Sequence, residues 1–424
     1  MAVVRKEDGA AVEAGAPAEA VLRRNVALLA LAQALFFMGN ATMMSTSSLV
    51  GLALAPDPAM ATVPLGLQFG GIMLATYPAS LLMNRIGRRA GFWIGAAFCT
   101  AGGLLAALAV GWGSFVLFAL ASLLYGVFAA FGQYYRFAAA DAAEVVSAEL
   151  RSAARARAIG WVMAGGVLAA VLGPELARST STLLPATPFL ASYLALAGLG
   201  LLTALVVAGI RLHPAPHRLG MAHGAPFAAI LSRPGIRAAM VSAVLAYVVM
   251  NLLMTSTPLA MSAAEHRFDD TARVIQAHLF GMFAPSFLTG HLIARFGASR
   301  VVLAGAGLVA LCVALALSGI TVAAFAGALF LLGVGWNFMF VGATALLTEH
   351  HRPEEKARVQ GLNDLLVFLG VTVSATASGA LHELFGWRLL NLLVVPALAL
   401  VVLSVLAADR RLKADGALAE RSGS

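Results

Sequence analysis

The sequence has 424 residues, of which 60% are hydrophobic and only 11% are charged, and its mean hydropathy is +0.88. Soluble domains carry about 25% charged residues, so this composition excludes a soluble enzyme and predicts an all-α protein that crosses a membrane many times. A net charge of +8 is compatible with a nucleic-acid partner, so the positions of the basic residues along the chain matter.

The chain begins with an Ala/Glu-rich stretch, residues 1–20, that predicts a disordered tail. Twelve apolar runs follow, each long enough to cross a hydrocarbon core about 30 Å thick. A proline-rich connection at 211–235 predicts a linker between an N-terminal six-helix bundle (21–210) and a C-terminal one (236–410), with a tail at 411–424. The runs are approximately 25–53, 61–83, 91–111, 114–142, 156–177, 186–210, 237–261, 272–294, 300–319, 321–348, 358–384 and 388–408.

Basic residues are distributed unevenly between the loops of the two sides. The five loops after runs 2, 4, 6, 8 and 10 hold fifteen Lys and Arg, whereas the six opposite loops hold four. Loops rich in Lys and Arg stay in the cytoplasm, so the pattern places both termini there and predicts a multi-pass protein of the bacterial inner membrane. The positive charge therefore reports topology, and no nucleic-acid partner is expected.

The two halves of the chain repeat each other. Three positions recur 210 residues later, where Gly71, Arg85 and Gly87 are matched by Gly281, Arg295 and Gly297. Internal repeats of this kind are typical of secondary transporters built from two related bundles.

The loop after the second run, SLLMNRIGRR at residues 80–89, carries a recognisable signature. It resembles the G-x-x-x-D-R-x-G-R-R loop of the major facilitator superfamily, with Ser80 and Asn84 in place of the glycine and the acid. The resemblance implies a transporter rather than an enzyme, with twelve transmembrane helices in two six-helix bundles and no cofactor.

Methionine and histidine recur at helical spacing in the seventh and eighth runs. Met250 and Met254 lie four residues apart on one run, as do His278 and Met282 on the next. At about 1.5 Å per residue, Met254 and His278 lie roughly 10 Å below the membrane edge, and the other two roughly 17 Å below it. Thioether sulfur combined with imidazole suits copper, above all Cu(I), so the four side chains predict a copper site.

The same two motifs on the same two helices resemble those of the CcoA-like copper importers, a group within the superfamily. The resemblance implies import of copper, as substrate, across the inner membrane by alternating access. It further implies delivery to a cytoplasmic copper acceptor and a role in cytochrome oxidase assembly. The residues that match are Met250, Met254, His278 and Met282.

Other residues are weaker candidates. Arg136 and Asp141 lie in the inner part of the fourth run and predict either a gating or proton-coupling pair or two side chains that reach the inner surface. Four methionines near the predicted site are candidates for further ligands or for ordinary packing. They are Met38, Met43, Met44 and Met261. Three linker histidines are candidates for passing metal onward. They are His213, His217 and His223.

Two alternatives to copper import stay open. In the first, the protein is an exporter of drugs or small metabolites, and the methionines line an adaptable apolar cavity. In the second, it is a receptor or assembly partner that transports nothing.

Overall fold

The computed structural model describes residues 4–143, 148–211, 227–352 and 355–422, which form α-helices joined by turns. A 3-10 helix, Pro58–Met60, lies between the first two α-helices. In chain order the α-helices are α1 (Val4–Leu54), α2 (Val63–Ile86), α3 (Arg88–Trp112), α4 (Phe115–Gly132), α5 (Tyr135–Ala142), α6 (Ala148–Thr180), α7 (Leu190–Ala208), α8 (Phe227–Leu231), α9 (Pro234–Ala263), α10 (Phe268–Phe283), α11 (Ser286–Phe296), α12 (Ala298–Ser318), α13 (Val322–His350), α14 (Lys356–Leu392) and α15 (Val394–Ser422).

Helices are expected here because hydrocarbon offers no partner to a backbone N–H or C=O, and a helix pairs these groups internally. Within the described ranges, ten helical segments are long and apolar enough to cross a membrane. The all-α membrane protein predicted from composition is therefore confirmed. The predicted run 272–294 is divided between α10 and α11, since Pro285 lacks the N–H that would continue the ladder of hydrogen bonds.

The two ends of the chain are more helical than the sequence predicts. Helix α1 begins at Val4, although residues 1–20 carry the pattern of a disordered tail. The alanine and glutamate residues of that stretch are among the strongest helix formers, so a helix needs no apolar face there. Helix α15 extends to Ser422 and takes in most of the predicted tail at 411–424.

The chain divides into two compact units. The first contains Met1–Met43 and Gly71–Arg218, and the second contains Met44–Gly70 and Leu219–Ser424. The main division falls within the predicted linker, although residues 212–226, with the three histidines predicted to pass metal onward, lie outside the described residues. The segment Met44–Gly70 differs from the predicted six-plus-six division, because it belongs to the second unit.

Two hydroxyl groups hold this segment within the second unit. Thr62 Oγ1 donates to the carbonyl of Thr376 at 3.2 Å and accepts a bond from the N–H of Gly379 at 2.8 Å. Ser48 Oγ donates to the carbonyl of Thr255 at 3.0 Å. These bonds join the last part of α1 and the turn before α2 to helices α9 and α14.

The repeat seen in the sequence has a counterpart in backbone geometry. Gly87 has φ and ψ of 87° and 153°, and Gly297 has 85° and 154°. A side chain at such a positive φ is strained, so glycine is needed at both turns. The repeat also extends to packing, since a Cβ at Gly71 would lie 2.6 Å from the carbonyl of Leu123, and one at Gly281 would lie 2.6 Å from that of Phe330.

Candidate functional site

The four predicted metal ligands all lie inside the second unit. Met250 and Met254 on α9 are 4% and 0% exposed, whereas His278 and Met282 on α10 are 0% and 8% exposed. Helix α10 packs mainly against α13 and only slightly against α9. The side chains are thus buried within the protein, and their joint role as ligands stays a prediction.

His278 is directed towards α13. Its Nδ1 donates to the carbonyl of Leu329 at 2.9 Å, if the proton is assigned to that nitrogen. Helices α10 and α13 approach closely here. A Cβ added at Gly333 would lie only 2.4 Å from the carbonyl oxygen of His278. The histidine therefore ties two helices together, which is a structural use of the imidazole that its position in the motif does not reveal.

Asn337 on α13 supports the interruption between α10 and α11. Its Nδ2 donates to the carbonyl of Met282 at 2.8 Å and to Ser286 Oγ at 2.7 Å. Its Oδ1 accepts from Thr289 Oγ1 at 2.6 Å. This asparagine therefore gives the carbonyl of Met282, beside the interruption, a hydrogen bond inside the protein.

An aromatic cluster lies where α9 meets α13, and we call Tyr247, Trp336 and Phe340 the ring cluster. The rings of Trp336 and Phe340 are stacked, with centroids 5.3 Å apart and planes 12° apart. Tyr247 meets both rings edge-on, at 5.1 and 4.8 Å. Tyr247 and Phe340 are half-buried, and all three lie near the middle of their helices. The cluster was not predicted from the sequence, although the i, i+4 spacing of Trp336 and Phe340 was a signal for it.

Several buried polar atoms on α9, α10 and α13 have no hydrogen-bond partner within the described part of the chain. They are Asn251 Oδ1, Thr255 Oγ1, His278 Nε2 and Trp336 Nε1. Nearly all buried polar groups in proteins are paired, so unpaired ones on neighbouring helices call for an explanation. A polar ligand is one explanation that suits a transporter.

The predicted pair of Arg136 and Asp141 is arranged differently from the expectation. Asp141 accepts a hydrogen bond from Arg88, in the signature loop, while the guanidinium carbon of Arg136 lies 4.9 Å from the ring centroid of Phe137. The basic loop thus reaches the acid 53 positions later in the chain, and spacing along one helix could not show this. A gating or coupling role for either residue stays a prediction.

The four additional methionines are divided between the two units. Met43 and Met261 are 1% and 0% exposed, and Met38 and Met44 are half-buried. Met38 and Met43 belong to the first unit, whereas Met44 and Met261 belong to the second. Their role as further ligands stays a prediction.

An ion pair joins the N-terminal ends of α9 and α14. Arg233 donates to both carboxylate oxygens of Glu355, at 2.6 and 2.8 Å, and the N–H of Arg352 adds a bond of 3.3 Å. The hydrogen bonds from Arg233 lower the pKa of the Glu355 carboxyl below its usual value, and the same bonds raise the pKa of the Arg233 guanidinium.

Comparison with known proteins identifies the family of this chain. The sequence profile of the Major Facilitator Superfamily matches residues 272–422. The riboflavin transporter RfnT of Brucella anthropi is 40% identical over 400 residues, which covers 94% of this chain and 98% of that protein. The chain belongs to the major facilitator superfamily.

A further relative and two solved structures are also similar to this chain. An uncharacterised MFS-type transporter of Bacillus subtilis, YddS, is 30% identical over 78% of each chain. The crystal structure of a bacterial homologue of the human lysosomal transporter Spinster superposes with a TM-score of 0.70, at 14% identity, over 92% of this chain and 97% of that one. The nucleoside transporter NupG gives 0.69 at 12% identity, over 90% and 98%. The chain is therefore a multi-pass membrane transporter and not an enzyme.

The prediction of copper import is wrong. The relative that aligns along nearly the whole chain is a riboflavin transporter, so copper as substrate and partner and the link to cytochrome oxidase assembly are not supported. The alternative of a superfamily transporter for small metabolites fits better. The motifs misled because methionine is a common packing residue in apolar helices, and two i, i+4 pairs arise readily without a metal.

Proposed function

We propose that this protein imports riboflavin across the cytoplasmic membrane of a bacterium. The observation that carries the proposal is the 40% identity to the riboflavin transporter RfnT, which extends over 94% of this chain and 98% of that one. The match runs over nearly the full length of both chains, so it takes in both units and not one shared segment.

The second unit offers chemistry that suits this substrate. Riboflavin combines a flat three-ring system, with carbonyl and ring-nitrogen acceptors, and a flexible chain of hydroxyl groups. The ring cluster supplies aromatic faces, and aromatic faces favour stacking with flat rings. The unpaired atoms of Asn251 and Thr255 supply acceptors for hydroxyl groups. These features support a ligand with an aromatic part and a polar part.

The proposed topology has both termini in the cytoplasm. It is supported by the excess of Lys and Arg in alternate loops. Fusions of a cytoplasm-dependent fluorescent protein and of a periplasm-dependent phosphatase to the C-terminus test it. The fluorescent fusion is expected to be active and the phosphatase fusion inactive, and the reverse would contradict the proposal.

Growth of a bacterial riboflavin auxotroph that lacks its own uptake system tests the proposed function. Cells that express the protein should grow on a riboflavin concentration too low for cells with the empty vector. Added copper should make no difference to this rescue. Protein present in the membrane without any rescue would contradict riboflavin import, and a lower cellular content of labelled riboflavin would indicate export instead.

A further inference from the structure

Trp336 differs from the other deeply buried tryptophan of the second unit. Trp336 and Trp387 are 7% and 8% exposed, so they are buried to the same extent. The indole N–H of Trp387 donates to the carbonyl of Ala316 at 3.3 Å. The indole N–H of Trp336 has no partner in the described part of the chain. Two tryptophans with equal exposed fractions thus differ in whether the indole N–H has an acceptor.

An unused donor is costly at this depth. Trp336 lies at the middle of α13, and Tyr247 lies near the middle of α9, so the ring cluster is near the centre of the bilayer. A buried N–H without an acceptor loses its hydration and gains nothing in return. Buried indole groups usually find a partner, so a donor left free here indicates a position at which a ligand supplies the acceptor.

Two of the three rings of the cluster are partly exposed. Tyr247 and Phe340 are half-buried, whereas Trp336 is almost fully covered. The parallel stack of Trp336 and Phe340, bordered edge-on by Tyr247, forms two walls at right angles. A flat ring that lies against such walls gains stacking on one side and edge contacts on the other.

We propose that the ring cluster binds the isoalloxazine ring of riboflavin and that the indole N–H of Trp336 donates to a carbonyl oxygen of its pyrimidine edge. This inference rests on the proposed function and names the residues that recognise the ring. The aromatic faces can stack on that ring, and its carbonyl oxygen supplies the acceptor that the indole N–H lacks.

The polar chain of the substrate has partners along the same side of α9. Asn251 and Thr255 follow Tyr247 at intervals of four residues, so the three lie on one side of the helix. Asn251 Nδ2 is held by the carbonyl of Val371 at 3.3 Å and by Ser374 Oγ at 3.2 Å. This fixes the amide with its free Oδ1 as an acceptor. The hydroxyl groups of the ribityl chain are the donors that such acceptors need.

The test compares Trp336→Phe with Trp387→Phe, which is the same substitution at the same burial. Uptake of radiolabelled riboflavin into vesicles gives KM and maximal rate for each. Trp336→Phe keeps an aromatic face but loses the donor, so KM should rise by about tenfold with little change in maximal rate. Trp387→Phe should leave KM unchanged.

Binding of lumichrome, which has the ring system but no ribityl chain, separates ring recognition from chain recognition. Flavin fluorescence is quenched by stacked aromatic side chains, so purified wild-type protein should quench both riboflavin and lumichrome. Trp336→Phe should weaken both ligands by the same factor. Phe340→Leu, which leaves the indole in place, should weaken both and reduce the quenching.

The outcomes separate the two levels of the proposal. A wild-type protein that takes up no riboflavin refutes the proposed function itself. A wild-type protein that takes up riboflavin, with equal KM for Trp336→Phe and Trp387→Phe, overturns the role of the indole. If Trp336→Phe does not fold, Phe340→Leu decides, because unchanged quenching and KM in that variant exclude the ring cluster.

Discussion

Replacing Gly333 by alanine should force α10 away from α13. The new Cβ would lie 2.4 Å from the carbonyl oxygen of His278, 2.8 Å from the amide nitrogen of Met282 and 3.0 Å from the carbonyl carbon of Gly281. All three atoms belong to the backbone, so no side-chain rotation can relieve the overlap. The two helices must separate by several tenths of an ångström or more.

The energetic cost can be worked from this geometry. Overpacking a tight interface costs about 1–3 kcal/mol, and loss of the hydrogen bond from His278 to Leu329 adds about 0.6 kcal/mol. Alanine regains about 0.5–1 kcal/mol through its higher helix propensity. The free energy of unfolding should therefore fall by about 1–3 kcal/mol.

Thermal unfolding of the purified protein in detergent measures this effect. The matched control is Gly307→Ala on α12, where a new Cβ would have no atom within 4 Å. The control should be as stable as the wild type or slightly more stable, and Gly333→Ala should unfold at a clearly lower temperature. Equal stability of the two variants would refute the inference that this glycine sets the distance between α10 and α13.

Three further predictions concern the support of the helix interruption, the ion pair and the metal. Asn337→Ala should lower the free energy of unfolding by about 2 kcal/mol, because it removes three hydrogen bonds worth about 0.6 kcal/mol each in membranes. Thermal unfolding measures this loss, with Asn391→Ala as the control variant. Bonds from Arg233 lower the folded-state pKa of Glu355. The stabilisation that they give is therefore present above the ordinary carboxyl pKa and is lost as pH falls through the lowered value. Glu355→Gln should weaken the pH dependence of the free energy of unfolding, measured across the acid range. Cells that express the protein should accumulate no more copper than control cells, as measured by elemental analysis.

Each of these predictions has an outcome that contradicts it. Asn391 Nδ2 donates to the carbonyl of Trp387, one turn earlier in the same helix. Equal losses of stability for Asn337→Ala and Asn391→Ala would therefore show that the bonds at the interruption contribute no more than a bond within one helix. An acid dependence of stability that persists unchanged in Glu355→Gln would assign it to other carboxyl groups. Copper accumulation that depends on His278 would be evidence for the metal site.

The architecture of this protein could be predicted from sequence because its signals are long or local. Apolar runs report helices directly, since the bilayer permits little else, and basic residues mark alternate loops. The repeat was visible because Gly87 and Gly297 are each required by a local backbone conformation. The interruption at Pro285 is also local, although its support by Asn337 comes from another helix.

The substrate could not be predicted because recognition depends on side chains that meet across helices. His278 and Met282 match a copper motif, but the motif says nothing about Leu329, which holds the imidazole. Trp336 stood out only once its unused N–H and its neighbours Tyr247 and Phe340 were in view. Arg88 and Asp141 likewise meet through tertiary packing, which a pattern along one helix does not contain.

Uptake of radiolabelled riboflavin by purified protein in sealed lipid vesicles tests the central claim most directly. We expect saturable accumulation that unlabelled riboflavin and lumichrome reduce and that copper ions leave unchanged. Vesicles that contain correctly folded protein but accumulate no more riboflavin than empty vesicles would contradict it.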